Sequence, residues 1–312
     1  MKRYIVTGGA GFIGSSLVRE LLTKADTGRV EVLDNCFTGN RANLAEVADR
    51  IGYHDLDIRD YDGVARVVEG ADAVFHLAAV PSVPRSIEEP VVCHDINING
   101  TFTVLRACVA GGVKRVVYAA SSSAYGNQPA SPKVETMAPE PLSPYAAQKL
   151  IGEYYVSVFK ECWNLETVGL RFFNVFGPRQ DPTSPYSGVI SVFMKHLIAR
   201  KQPMIHGDGE QTRDFIYVED LASLLVKASL AEGVGGRIFN AGNGQSYTLN
   251  NLWALLTKIE GIELPAAYGA ARAGDVRDSL ADTSLVAKAL GYSPRFTFEE
   301  GLRRTLAWYR QR

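Results

Sequence analysis

Short, largely apolar β-branched runs recur along the first half of the chain, at Tyr4–Val6, Val30–Leu33, Ala73–Leu77, Val116–Ala119 and Thr167–Leu170. Runs of this length and composition read as strands buried on both faces. Between them, stretches such as Ile13–Thr23 and Thr101–Ala110 carry apolar residues at helical spacing. Buried strands alternating with amphipathic helices predict an α/β fold built on a doubly wound parallel sheet.

Past Arg171 the rhythm loosens. Pro- and Gly-rich passages at Gly177–Gly188 and Gly207–Arg213 flank a helix predicted over Val189–Arg200, and further helices are predicted at Leu249–Ile259, Thr283–Leu290 and Phe298–Arg310. The expected division is a sheet domain over 1–171 and a smaller, mostly helical domain over 172–312 that closes over a ligand. Arg237–Asn240 reads as a strand returning to the sheet. There is no internal repeat and no long linker.

Composition narrows the function classes. With 33 basic and 34 acidic residues the net charge is −1, which offers no excess for a polyanion or a membrane surface, so neither nucleic acid nor membrane is an expected partner. Nothing like a leader peptide fits before Thr7-Gly8-Gly9, and no run approaches a membrane span, so a cytoplasmic protein is expected. The four cysteines form no CxxC pair and read as reduced thiols, and the five histidines show no metal-ligand spacing, so no metal is expected.

Two motifs carry chemistry. Gly8-Gly9-Ala10-Gly11-Phe12-Ile13-Gly14 follows the first strand and opens the first helix, where glycines permit a tight turn and let backbone approach a pyrophosphate at the helix N-terminus. GxxGxxG alone is weak. It is strengthened by Asp34, twenty residues after Gly14 at the end of the second strand, whose carboxylate can accept ribose hydroxyls and would repel a 2′-phosphate. NAD is therefore favoured over NADP.

The second motif is Tyr145-Ala146-Ala147-Gln148-Lys149 after Ser143-Pro144. A helix starting at the proline puts Tyr145 and Lys149 one turn apart on one face. A phenol titrates near about 10, and a neighbouring ammonium together with a cationic nicotinamide is expected to lower it into the range of a general base. YxxxK by itself is common as a half-buried tyrosine beside a solvated lysine. Upstream, however, Ser121-Ser122-Ser123 ends a strand at the carboxyl edge of the sheet, where such folds bind ligands.

With these motifs, the chain resembles the extended short-chain dehydrogenases of the NAD-dependent epimerase/dehydratase family over essentially its whole length. TGGAGFIG, Asp34-Asn35 followed by Thr38-Gly39, DIRD at Asp57–Asp60, HLAA at His76–Ala79, NINGT, SSSAYG, SPYAAQK, RFFNVFGP and GDGEQTRDFIYVED stand in the family's order. The resemblance implies a Rossmann fold, Ser121 as catalytic hydroxyl, Tyr145 as base and Lys149 as its partner. It further implies that Gly8, Gly11, Phe12, Ile13, Gly14, Asn35, Thr38 and Gly39 hold NAD, with Asp57 and Ile58 at the adenine. Leu77, Ala78, Ala79 and Asn97 would line the cofactor, and Phe172 would lie beside the nicotinamide.

On the substrate side the resemblance implies Ser82, Ser122, Ser123 and Val189 at the sugar nucleotide, and Asn174, Arg213 and Arg272 at its diphosphate. Asp275 would meet the uridine ribose, with Met204 and His206 beside the uracil. Relatives that eliminate water resemble one another in carrying Asp-Glu where Ser122-Ser123 stand here, and decarboxylating relatives place Glu at the position of Ser123. The resemblance therefore implies C4 epimerisation of a UDP-hexose. Ser279 aligns with a large tyrosine in galactose-restricted epimerases, so the reading leans to UDP-N-acetylglucosamine and UDP-N-acetylgalactosamine, with UDP-glucose and UDP-galactose as co-substrates. Arg85 keeps a UDP-glucuronate epimerase open. A lyase on this scaffold, an NADPH-type ketoreductase and a non-enzymatic NAD-binding regulator are the other readings. A homodimer through Thr101–Ala110 and the helix after Tyr145 is implied by the same resemblance.

Overall fold

The computed structural model describes residues 1–181, 188–271 and 277–311. Seven parallel strands form the central sheet in the order β10-β6-β5-β4-β1-β2-β3. They are β1 (Lys2–Thr7), β2 (Thr27–Leu33), β3 (Gly52–His54), β4 (Ala73–His76), β5 (Val116–Ser121), β6 (Thr167–Phe172) and β10 (Arg237–Ala241). The five runs predicted from β-branched composition all lie in this sheet. Its order reverses at β1, which pairs with β2 on one side and β4 on the other, and this leaves a crevice beyond their carboxyl ends.

Alternation along β1 sends side chains into two apolar layers, since successive residues of a strand face opposite ways. Tyr4 and Val6 meet Leu17 and Leu21 of α1 (Phe12–Leu22) and Leu221, Leu224 and Leu225 of α8 (Val218–Leu230). Ile5 faces the other layer, with Val64 and Val68 of α2 (Tyr61–Val68), Val104 and Cys108 of α5 (Thr101–Ala110) and Phe159 of α6 (Pro144–Trp163). The short helices α3 (Val83–Glu88) and α4 (Pro90–His94) lead through a π-helical stretch at Asp95–Gly100 into α5.

The second half holds more β structure than its sequence predicts. β7 (Asn174–Phe176), β9 (Thr212–Tyr217) and β11 (Ser246–Thr248) form a mixed three-stranded sheet, and β8 (Met204–His206) pairs with β12 (Ala267–Gly269). Four of these five strands span only three residues, too short to display a period of two. They pack with α7 (Val189–Ile198), α9 (Leu249–Glu260) and α11 (Phe298–Tyr309) around an aromatic core in which Phe215 stacks on Phe298 with ring centres 5.4 Å apart. α8, β10 and α10 (Ser284–Leu290) instead join the central sheet's core, so the chain returns to the first layer after starting the second. No helix among the described residues is long and apolar enough to cross a membrane.

Candidate active site

A cavity of about 620 Å³ opens at the carboxyl ends of the central strands. Its wall includes Gly8, Gly11, Phe12, Ile13 and Gly14 from the β1–α1 turn, where α1 begins at Gly11 with no side-chain cap and leaves its first N–H groups for a ligand. Gly8 has φ +71°, and a Cβ there would lie 2.7 Å from the Ala78 nitrogen. A Cβ on Gly14 would meet the Gly8 carbonyl at 2.1 Å, so the helix can sit this close to the turn only as glycine.

Asp34 lies at the end of β2 with its carboxylate accepting from Ala10 N (2.8 Å) and Cys36 N (2.7 Å). Burial pushes its pKa up while those two N–H groups oppose the shift. Each oxygen keeps a lone pair for a ribose hydroxyl. Asn35, Thr38, Gly39, Asp57 and Ile58 continue the wall. Asn35 donates to Asp57 at 3.0 Å, and the Asp57 carboxylate, gripped by Arg59, is held below the usual carboxylate range. Leu77, Ala78, Ala79 and Phe172 also line the cavity.

Asn97 is buried in the π-helical stretch, where its amide accepts from Val80 N and donates to Gln148 Oε1, both at 2.8 Å. It braces the loop after β4, whose Val80 lines the cavity. The wall also takes in residues that the motifs did not single out, including Phe37, Val80, Phe173, Gln180 and Asp181.

Ser121, Tyr145 and Lys149 converge on the same cavity. Ser143 caps α6 by accepting from Ala146 N, and Pro144 occupies its first turn, which starts the helix where the sequence predicts. Ser86 Oγ accepts from Tyr145 N at 3.1 Å and ties that turn to α3. Lys149 Nζ donates to the Ala119 carbonyl at 2.9 Å, and burial lowers its pKa to about 8. Burial raises the Tyr145 pKa, with the Ser121 hydrogen bond as the opposing influence; the lowering expected from a cationic nicotinamide is a contribution separate from these two. One ammonium hydrogen is taken by Ala119, and the other two face the cavity that Tyr145 also lines.

The sugar-side residues are spread more widely. Ser82 lines the cavity while its hydroxyl caps α3, accepting from Arg85 N. Ser123 donates its hydroxyl hydrogen to Ser121 Oγ at 2.8 Å and keeps its oxygen as an acceptor, and Ser122 begins the same short 3-10 turn. Asn174 on β7 donates to the Asp214 carbonyl at 3.1 Å. Arg213 on β9 donates to the Thr212 carbonyl at 2.7 Å. Val189 opens α7, Met204 is exposed on β8, and His206 on the same strand approaches the Ala270 carbonyl at 3.2 Å. Ser279 is half-buried between residues tied to β9, while Arg272 and Asp275 lie outside the described residues. None of the described residues in this group except Ser82 belongs to the cavity wall.

The comparisons agree with this arrangement. Residues 4–242 match the NAD dependent epimerase/dehydratase family. A UDP-glucose 4-epimerase of Mycolicibacterium smegmatis is 36% identical over 314 residues, covering 99% of each chain. The structure of a UDP-N-acetylglucosamine 4-epimerase from Methanobrevibacter ruminantium, in complex with UDP-N-acetylmuramic acid, superposes with a TM-score of 0.94 at 37% identity, over 99% of this chain and 98% of that one. A Thermus thermophilus UDP-glucose 4-epimerase in complex with NAD is 34% identical, with a TM-score of 0.88 over 99% of both chains. With residues 4–242 matched by the family and a relative 36% identical over 99% of its length, this chain belongs to the NAD dependent epimerase/dehydratase family and takes NAD as its cofactor.

Proposed function

We propose that the chain is a UDP-sugar 4-epimerase whose preferred substrates are UDP-N-acetylglucosamine and UDP-N-acetylgalactosamine, with UDP-glucose and UDP-galactose as slower ones. The observation that carries the reaction type is the convergence of Ser121, Tyr145 and Lys149 on the cavity that the glycine turn opens, with serines rather than carboxylates after Ser121. Elimination of water needs an acid and a base at the sugar's C5 and C6, and Ser122 and Ser123 supply neither.

Bound NAD supplies hydride exchange at C4. Tyr145 takes the O4 proton and returns it, and the Ser121 hydroxyl bridges phenol and sugar oxygen. Lys149 holds positive charge at the cofactor ribose. No net oxidation results, so the cofactor can remain in place through the cycle. Relatives named as UDP-glucose and UDP-N-acetylglucosamine epimerases both support the coarser reading. The small Ser279 favours the N-acetylated pair. Arg85, the cation that a glucuronate carboxylate would need, lines the cavity and shares a surface pair with Glu89 at 3.1 Å, so a UDP-glucuronate epimerase is the second reading.

The working unit is proposed to be a homodimer. Phe102 on α5 and Tyr154, Val158 and Trp163 on α6 are all exposed to 40% or more, and a matching face on a second copy would cover them. Sedimentation at micromolar concentration should give twice the chain mass. The reaction is tested by incubating the protein with UDP-N-acetylglucosamine, without added NAD, and following the anomeric protons by NMR. Appearance of the C4 epimer is the expected result; conversion of UDP-glucose or UDP-glucuronate alone would overturn the substrate assignment. Tyr145→Phe should lower the rate by roughly 10²–10⁴-fold with the fold intact. An unchanged rate in that variant would remove Tyr145 from the mechanism.

A further inference from the structure

Behind Tyr145 and Lys149 lies a buried ion pair that the chemistry above leaves unused. Glu153, one turn beyond Lys149 on α6, is 5% exposed, and Arg171 on β6 is 4% exposed. Arg171 Nε donates to both Glu153 oxygens at 3.0 and 3.2 Å, and its Nη2 donates to Oε2 at 2.8 Å. In the β5–β6 register Arg171 stands opposite Ala120 and the next residue, Phe172, opposite Ser121. The guanidinium lies 4.6 Å from the ring centre of Tyr125, whose hydroxyl donates to Asn240 Oδ1 on β10 at 2.6 Å. The carboxylate is thus fixed from the sheet side, through a strand that carries the cavity wall.

Burying such a pair brings little net stability, because desolvation of both ions offsets their attraction. Its location has another use. Lys149 Nζ has the uncharged Ala119 carbonyl as its hydrogen-bond partner and lies 5.2 Å from the Tyr118 ring. The titratable and charged groups facing it are His76 on β4, Tyr118 on β5, Tyr145 and Glu153 on α6 and Arg171 on β6. His76 is kept neutral by burial between the Thr7 and Thr101 hydroxyls. Glu153 is the carboxylate in this group, and it opposes the lowering of the Lys149 pKa that burial causes. Its oxygens engage Arg171 and form no ion pair with Lys149.

We propose that Glu153 is a positioning residue for the reaction: Arg171 holds its carboxylate where the charge keeps Lys149 an ammonium without capturing the Nζ hydrogens, which remain available to the cofactor ribose and to Tyr145. The inference rests on the role assigned to Lys149 above, and it differs from a mere clamp between α6 and β6 in predicting the lysine's protonation.

The test is a pH titration of the full chain carrying lysine labelled with ¹³C at Cε, read by NMR, with the Lys149 signal assigned by its loss in Lys149→Met. In the wild-type chain the midpoint is expected at about 8, and a midpoint below neutrality overturns the proposal whatever the variants do. Glu153→Gln alone strands a buried guanidinium, so the second variant is Glu153→Gln with Arg171→Met, which removes both charges. In that variant the Lys149 midpoint should fall by about one pH unit or more, and the alkaline limb of kcat/KM should move down with it. A folded double variant with an unchanged Lys149 midpoint would leave the pair as a structural link only. The titration needs no substrate, so its outcome is independent of whether a UDP-sugar is turned over.

Discussion

Ser123 donates its hydroxyl hydrogen to Ser121 Oγ across 2.8 Å, and the Ser123 main-chain N–H points at the same oxygen at 3.2 Å. Two donors therefore occupy both lone pairs of the Ser121 oxygen, which leaves its own hydrogen to be donated toward Tyr145. Ser123→Ala removes one neutral hydrogen bond worth about 1 kcal/mol, so kcat is expected to fall roughly fivefold with KM little changed. Ser121→Ala should fall much further. Steady-state kinetics of both variants checks the order, and equal losses would mean that Ser123 itself meets the sugar.

Gly14→Ala is expected to cost the protein its cofactor. The added methyl would sit 2.1 Å from the Gly8 carbonyl, a backbone atom that can withdraw only by opening the turn. Purified Gly14→Ala should release little nicotinamide on acid denaturation, measured by absorbance or by enzymatic cycling, whereas the wild-type chain should release close to one equivalent. Full retention in the variant would show that the pyrophosphate is held elsewhere.

His76 makes a prediction in pH. Its ring is buried between the Thr7 and Thr101 hydroxyls at 2.8 and 2.9 Å, and burial pushes its pKa down to about 3. The unfolded chain binds a proton there near about 6.5, so the stabilising contribution is complete above that pH and is lost as pH falls from about 6.5 towards 3. The full effect is on the order of 5 kcal/mol. Tm should decline on acidification through this window, and His76→Gln should flatten part of the decline. A parallel curve for the variant would mean that other groups drive the acid response.

Much of the fold was legible because fully buried strands and amphipathic helices write different periods into the chain, and the glycine turn, Asp34 and the Tyr145–Lys149 pair are local patterns. What escaped was non-local or brief. The three-residue strands β7, β8, β11 and β12 leave no alternation to read. Gln180 and Asp181 lie within a Pro/Gly-rich passage in which nothing marks a side chain as cavity wall. Glu153 four residues after Lys149 looks like an ordinary surface pair until β6 brings Arg171, eighteen positions on, against it. The rise in the Tyr145 pKa depends on how much protein surrounds the phenol, which no motif encodes.

Ser279→Tyr should reverse the sugar preference. The residue is half-buried in a segment tied to Asp214 through Ala281 N at 3.1 Å, and under the proposed substrate reading a ring added there would take the space of the acetyl group. The ratio of kcat/KM for UDP-N-acetylglucosamine over UDP-glucose is expected to fall by about tenfold or more, chiefly through loss of the acetylated sugar. A ratio unchanged in Ser279→Tyr would place the discriminating wall elsewhere.

The central sheet is closed on one side by β10, which pairs with β6 through five registered residues from Arg237 to Ala241. A ribosome that has made residues 1–172 has therefore made six of the seven strands and still displays β6 as a bare apolar edge, with Val168 and Leu170 waiting for a neighbour. Such edges recruit other chains. The nascent protein must keep that edge apart from its siblings until translation has passed β7, α7, β8, β9 and α8 and delivered Ala241.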